Sequence, residues 1–241
     1  MEHSPLIFAH RGASFHYPEN TMLAFRQAAG MGAHALELDV QLSRDQEVVV
    51  IHDETVNRTS DQQGYVKDYT YQQLLAMDFS AGFFEYEGIR IPTLDEVLSF
   101  AKEARLQVNI ELKNHNILYE GLEERVLGII DDHQMDDHVV LSSFNHISLV
   151  KVKDLKAGIE TALIYSCMLF EPWVYARSCL ADGLHPLYRS IQADTIAACR
   201  ENGIRVRPWT VDDANLIKAF KNWGVDGIIT NSPDVAMEAI R

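Results

Sequence analysis

Eight short apolar segments, each followed by a stretch of helical character, limit the folding options of this chain more than any other feature. The segments are LIFAH, ALELDV, QVNIEL, HVVLSSF, ETALIY, DGLHP, RVRPWTV and GIITN. The helical stretches lie around Thr21–Met31, Leu94–Glu103, Tyr119–Asp132, Ile147–Leu155, Glu171–Ser178, Ala193–Glu201, Ala214–Asn222 and Asp234–Ile240. Asn20 and Thr93 stand where the first two helices begin, and Glu96 completes a capping box with Thr93. Eight such units in 241 residues suit one α/β domain, a (β/α)8 TIM barrel. A doubly wound open sheet is the alternative that shares the same alternation.

Two departures from strict alternation carry information. VVVIHD follows ALELDVQL after only SRDQE, too few residues for a helical crossover, so it is expected to return as an antiparallel β-hairpin. That would set His52 roughly opposite Asp39. Residues 54–91 show no clear period and contain DQQGY and SAGFFEYEG. They are expected to form a small lobe inserted after the second barrel strand, over the mouth of a single domain spanning 1–241.

In a strand, residues two apart share a face. Glu37 and Asp39 therefore project together, away from Leu36, Leu38 and Val40, and Glu111 and Lys113 project together, away from Ile110 and Leu112. Barrel enzymes work at the C-terminal ends of their strands, and that rim should collect His10, Arg11, Glu37, Asp39, His52, Glu111 and Lys113. One carboxylate alone reads as an ion-pair partner, but three converging on one rim are costly without a cation among them. Oxygen-only ligands suit one divalent ion, Mg²⁺ or Ca²⁺ with Mn²⁺ also possible, better than zinc. His10 and His52 could serve as an acid–base pair, while Arg11 and Lys113 could hold an anion. A metal, two cations and two histidines describe phosphoryl transfer better than carbonyl or sugar chemistry.

Charge narrows the partners. A net charge of −14 argues against nucleic acid and against adsorption to anionic membranes. Cys167, Cys179 and Cys199 lack CxxC spacing and are odd in number, which suits free thiols in a reducing compartment. No signal-peptide pattern opens the chain and no apolar run approaches the roughly 20 residues of a bilayer span. The expectation is a cytoplasmic protein acting on a small molecule, without stable membrane insertion.

H-R-G-A (His10–Ala13), P-E-N-T (Pro18–Thr21), E-L-D-V, V-V-V-I-H-D, I-P-T-L-D-E-V-L, I-E-L-K, S-S-F, P-W-T-V and G-V-D-G-I-I-T-N-S-P occur in this order over nearly the whole chain. The set resembles the glycerophosphodiester phosphodiesterase family. The resemblance implies a (β/α)8 barrel with an early inserted lobe and a divalent metal. It also implies hydrolysis of glycerophosphodiesters to sn-glycerol 3-phosphate and an alcohol. Carried over by motif, Glu37, Asp39 and Glu111 hold the metal, His10 and His52 are the acid–base pair, and Arg11 and Lys113 bind phosphate. Trp209 is a candidate wall of the glycerol pocket or a core residue. Glu19 could orient a ligand or make a structural hydrogen bond, His185 could face the site, and Phe83 and Phe84 could shape its entrance. Two positions depart from the family pattern: the hairpin turn reads Asp45-Gln46 where Asp-Gly is common, and Asp212 stands where Asn commonly follows W-T-V. A lysophospholipase D or cyclising phospholipase would use similar chemistry. A non-catalytic phosphodiester-binding barrel is the rival of a different class.

Overall fold

In β2 (Ala35–Leu42), Leu36, Leu38, Val40 and Leu42 join an apolar cluster that also takes in Phe25, Leu94 and Val126 from helices. Glu37, Asp39 and Gln41 occupy the other face and are buried as well. A strand buried on both faces fits a parallel sheet covered by helices outside and closed on itself inside. The computed structural model, which describes residues 4–80 and 82–241, has this form.

β1 (Leu6–His10) is followed by α1 (Met22–Gly30), β2, β3 (Val48–Val50), α2 (Tyr71–Leu74) and α3 (Leu94–Ala104). Alternation then continues through β4 (Gln107–Leu112), α4 (Leu122–His133), β5 (Val139–Ser143) and α5 (His146–Leu155). The last part of the chain adds β6 (Glu160–Tyr165), α6 (Pro172–Ser178), β7 (Gly183–Pro186), α7 (Ala193–Glu201), β8 (Arg205–Val206), α8 (Ala214–Trp223), β9 (Gly227–Thr230) and α9 (Pro233–Ala239). The parallel strands neighbour one another in the order β8-β7-β6-β5-β4-β2-β1-β9. Backbone bonds from Asp226 N to Val206 O (3.0 Å), from Ile229 N to Pro208 O (3.0 Å) and from Val211 N to Ile229 O (2.9 Å) bring the two ends together. The result is a nearly closed eight-stranded parallel barrel, the TIM-barrel arrangement. β8 is shorter than RVRPWTV suggests, because Pro208 has no N–H to continue a ladder.

β3 pairs antiparallel with β2, Val40 opposite Val50. Ile51 N donates to Asp39 O at 2.9 Å, so His52 lies one residue past the position facing Asp39. At the hairpin turn Gln46 has φ 67°, a left-handed backbone that glycine would adopt without a Cβ penalty. β3 also separates two apolar clusters. Val48 and Val50 face the main one, while Val49 and Ile51 join Val56, Val66, Leu74, Met77, Phe79 and Ile91 from the segment that follows.

Thr93 and Glu96 form the expected capping box. The expectation for the first helix needs correction. Its cap is Thr21, whose Oγ1 accepts from Ala24 N at 3.2 Å, whereas the Asn20 side chain turns inward and donates to Asp39 Oδ2 at 2.9 Å. No helix among the described residues is long and apolar enough to cross a membrane.

Candidate active site

The register of two neighbouring strands assembles the acidic cluster. Asp39 in β2 lies opposite Glu111 in β4, and Glu37 lies opposite Asn109. One carboxylate oxygen each from Glu37, Asp39 and Glu111 falls within 4.8 Å of the others. All three residues are buried. Lys113 Nζ donates to Glu111 Oε1 at 2.7 Å and lies 3.7 Å from Asp39 Oδ1.

A tight turn after β1 brings in the next group. Arg11 (φ 56°) and Gly12 (φ 84°) are both left-handed, and a Cβ on Gly12 would stand 2.7 Å from the backbone of Ala24. Only glycine fits there. The turn points Arg11 N at Glu37 Oε2 (2.9 Å), while the guanidinium reaches Glu19 Oε1 (2.9 Å) and lies 3.4 Å from Asp39 Oδ2. His10, at the strand end, places Nδ1 2.7 Å from Asn231 Oδ1 and Nε2 3.9 Å from Glu37 Oε2. On the hairpin side, His52 Nδ1 is 2.7 Å from Asp53 Oδ1.

Charges in this cluster are strongly coupled. Burial opposes ionisation of Asp39, but Arg11 and Lys113 outweigh it and hold its carboxyl well below the usual range. Burial raises Glu37 well above its ordinary value, and Asp39 and Glu111 add repulsion. Burial, then Asp39, pushes Glu111 up to about 7. The protein's own two cations therefore satisfy one carboxylate and leave two reluctant to ionise. Asp39 Oδ1 is also buried without a hydrogen-bond partner among the described residues. An oxygen-only donor set with an unsatisfied lone pair fits a hard divalent cation. Burial and the adjacent Arg11 push His10 down to about 4, so its imidazole is neutral at pH 7.

A cleft of about 440 Å³ opens over the cluster, lined by His10, Arg11, Glu37, His52, Glu111, Trp209 and His185, with Asn109, Phe144, Ile164 and Ile229. Of the residues singled out in the sequence, Asp39 and Lys113 sit behind this lining, buried. Trp209 meets Phe144 edge to face at 5.7 Å and donates Nε1–H to His185 O at 2.8 Å. His185 is buried, and its confinement together with Arg207 lowers its pKa well below 6.5. Neither Phe83 nor Phe84 lines the cleft, and Phe84 is almost fully exposed.

Several members of the site escape a sequence reading. Arg58, in the segment after β3, donates Nε–H to Asp53 Oδ2 (2.8 Å) and grips both oxygens of Glu19 (2.7 and 2.8 Å). With that hydrogen bond from Arg58 as the main cause, the Asp53 carboxyl is held down at about 2. Asn231 sits inside a quoted motif but had no assigned role. Asp53, directly after His52, was the one partner that adjacency could have signalled.

Residues 10–235 match the model of the glycerophosphoryl diester phosphodiesterase family. A glycerophosphodiester phosphodiesterase of Caldanaerobacter subterraneus subsp. tengcongensis is 42% identical over 237 residues, covering 98% of both chains. Another, from Bacillus altitudinis, is 42% identical over 236 residues, 96% of each. Among solved structures, an Oleispira antarctica phosphodiesterase in complex with the product sn-glycerol-3-phosphate superposes with a TM-score of 0.88 at 28% identity, covering 98% of this chain and 97% of that one. A Thermotoga maritima glycerophosphodiester phosphodiesterase gives 0.79 at 26% identity over 99% of both. Matched by the family model over residues 10–235 and 42% identical to two such enzymes over nearly its whole length, the chain belongs to the glycerophosphoryl diester phosphodiesterase family, a family of phosphoric diester hydrolases.

Proposed function

We propose that this protein hydrolyses glycerophosphodiesters to sn-glycerol 3-phosphate and an alcohol, using one divalent cation held by Glu37, Asp39 and Glu111 and an acid–base pair of His10 and His52. We further infer that residues 1–241 act as one catalytic domain, with residues 54–91 as its inserted lobe. The observation that carries the reading is that Glu37, Glu111, Arg11 and both histidines line one cleft of a family member, with the Asp39 carboxylate clustered behind them. When bound, Mg²⁺, Ca²⁺ or Mn²⁺ would supply Lewis-acid polarisation of a phosphoryl oxygen.

The chain's own residues do the rest. Arg11 offers its guanidinium to the phosphodiester oxygens, and Lys113 adds positive charge behind Glu111. Neutral His10 takes a proton from the attacking oxygen as its bond to phosphorus forms. His52, with Nδ1 engaged by the Asp53 carboxylate, gives a proton to the departing alkoxide as the second phosphorus–oxygen bond breaks. Water attacks directly, or a glycerol hydroxyl attacks first and water then opens the cyclic phosphate. One such pair of proton transfers completes the direct route; the cyclic route needs a second pair in the reverse sense, from the attacking water to His52 and from His10 to the departing ring oxygen. Trp209 and Phe144 present aromatic walls to the glycerol end.

The test is release of glycerol 3-phosphate from choline, ethanolamine and glycerol diesters by protein stripped with chelator and then resupplied with Mg²⁺, Ca²⁺ or Mn²⁺. Activity should vanish on stripping and return with the ion. Full activity in a demonstrably metal-free preparation would remove the cation from the proposal, and no turnover of any diester with any ion would remove the substrate class.

A further inference from the structure

We infer that Asp212 is a positioning residue that sets the tautomer of His10 through Asn231, an inference that rests on the reading of His10 as the base. Asp212 Oδ1 accepts from Thr230 Oγ1 (2.9 Å) and from the Asn231 backbone N–H (2.7 Å), and Oδ2 lies 2.8 Å from the Asn231 side-chain nitrogen. A carboxylate can only accept, so the Asn231 group facing it must be the NH₂ end of the amide. The other end, Oδ1, is then fixed 2.7 Å from His10 Nδ1 and can only accept there. The Ser14 hydroxyl has one proton to share between His10 O at 2.7 Å and the same Asn231 oxygen at 3.0 Å. His10 Nδ1 therefore carries the ring proton. The lone pair of neutral imidazole is left on Nε2, the nitrogen on the Glu37 side of the ring.

Changing Asp212 to asparagine reverses the chain of donors. The Asn231 backbone N–H still requires an oxygen, so the new amide places its NH₂ opposite Asn231. Asn231 must answer with its carbonyl and turn its own NH₂ toward His10. Nδ1 then accepts, the proton moves to Nε2, and the base is lost. Exchanging both residues, Asp212→Asn with Asn231→Asp, puts an acceptor back opposite Nδ1.

The decisive measurement is a two-bond ¹H–¹⁵N spectrum of the imidazoles in the full-length, magnesium-loaded protein near neutral pH. The His10 signals are identified by their loss in His10→Gln. Wild type should show the Nδ1–H form and Asp212→Asn the Nε2–H form. In the single variant kcat should fall about a hundredfold with KM changed less than about threefold, as expected when a general base is silenced. The double exchange should restore both the tautomer and most of kcat. An unchanged Nδ1–H form in Asp212→Asn overturns the inference. So does an Nε2–H form in the double exchange, which keeps the test available if the single variant does not fold. A switched tautomer with unchanged kcat would uphold the role of Asp212 and refute His10 as the base.

Discussion

At the scale of single residues, the two histidines differ in their neighbours, and that difference is the ground for proposing opposite roles for them. His10 stands beside Arg11 and is neutral at pH 7, its pKa pushed down to about 4 by burial and the guanidinium. His52 stands against the Asp53 carboxylate, itself held ionised at about 2 by its hydrogen bond from Arg58. A neutral imidazole suits a base, which leaves His52, oriented by Asp53, to be proposed as the acid. The leaving group separates the two. An alkoxide needs a proton to depart, whereas a nitrophenolate does not. His52→Ala should therefore lose about a hundredfold on an alkyl diester and recover most of that on a nitrophenyl diester. His10→Ala should remain impaired on both. The opposite pattern would exchange the roles.

At the scale of elements, the site is built by strand ends and then braced by the segment after β3. What the strands contribute was legible because it is local. Glu37 with Asp39, and Glu111 with Lys113, follow from period-two spacing, and β2–β4 pairing brings the sets together. The bracing was not legible, because its partners lie far apart in sequence: Arg58 and Glu19 are separated by 39 residues, and His10 and Asn231 by 221. Asn20 misled for a related reason. It has the chemistry of a helix cap, but its amide turns inward to donate to the buried Asp39 Oδ2, which leaves the cap to Thr21. Arg58 links Asp53, behind His52, to Glu19, behind Arg11, with one planar fork on each. Arg58→Ala should release both and lower kcat/KM at least about tenfold. Arg58→Lys should recover little, since a single ammonium cannot grip two carboxylates bidentately. Equal kcat/KM in wild type and Arg58→Ala would show that the brace is not needed for turnover.

At the scale of the whole molecule, the inside of the barrel is polar where most interiors are apolar, and stability inherits a pH dependence from it. The main apolar packing lies between sheet and helices, while the barrel interior carries Glu37, Asp39, Asn109, Glu111, His185 and Arg207 beside a small apolar group of Phe8, Ala35 and Ile229. His185 is fully enclosed, with Nδ1 lacking a partner among the described residues and Arg207 3.5 Å from Nε2. Burial and that positive charge lower its folded pKa well below 6.5, so the unfolded chain takes up the proton first as pH falls. The contribution is complete above the unfolded value of about 6.5 and is lost on acidification from there toward the lower folded value. For one such group the loss between about pH 7.5 and about pH 5.5 is at most about 1.4 kcal/mol, the limit set by proton uptake in the unfolded chain alone. His185→Asn cannot titrate, so its difference in unfolding free energy from wild type should shift by up to that amount over the same interval. Urea denaturation of both proteins in the same saturating Mg²⁺ measures this, and the carboxylate cluster, common to both, cancels. Parallel pH profiles would mean that His185 titrates alike in the folded and the unfolded chain, and a shift of opposite sign would mean that it is already protonated inside the barrel.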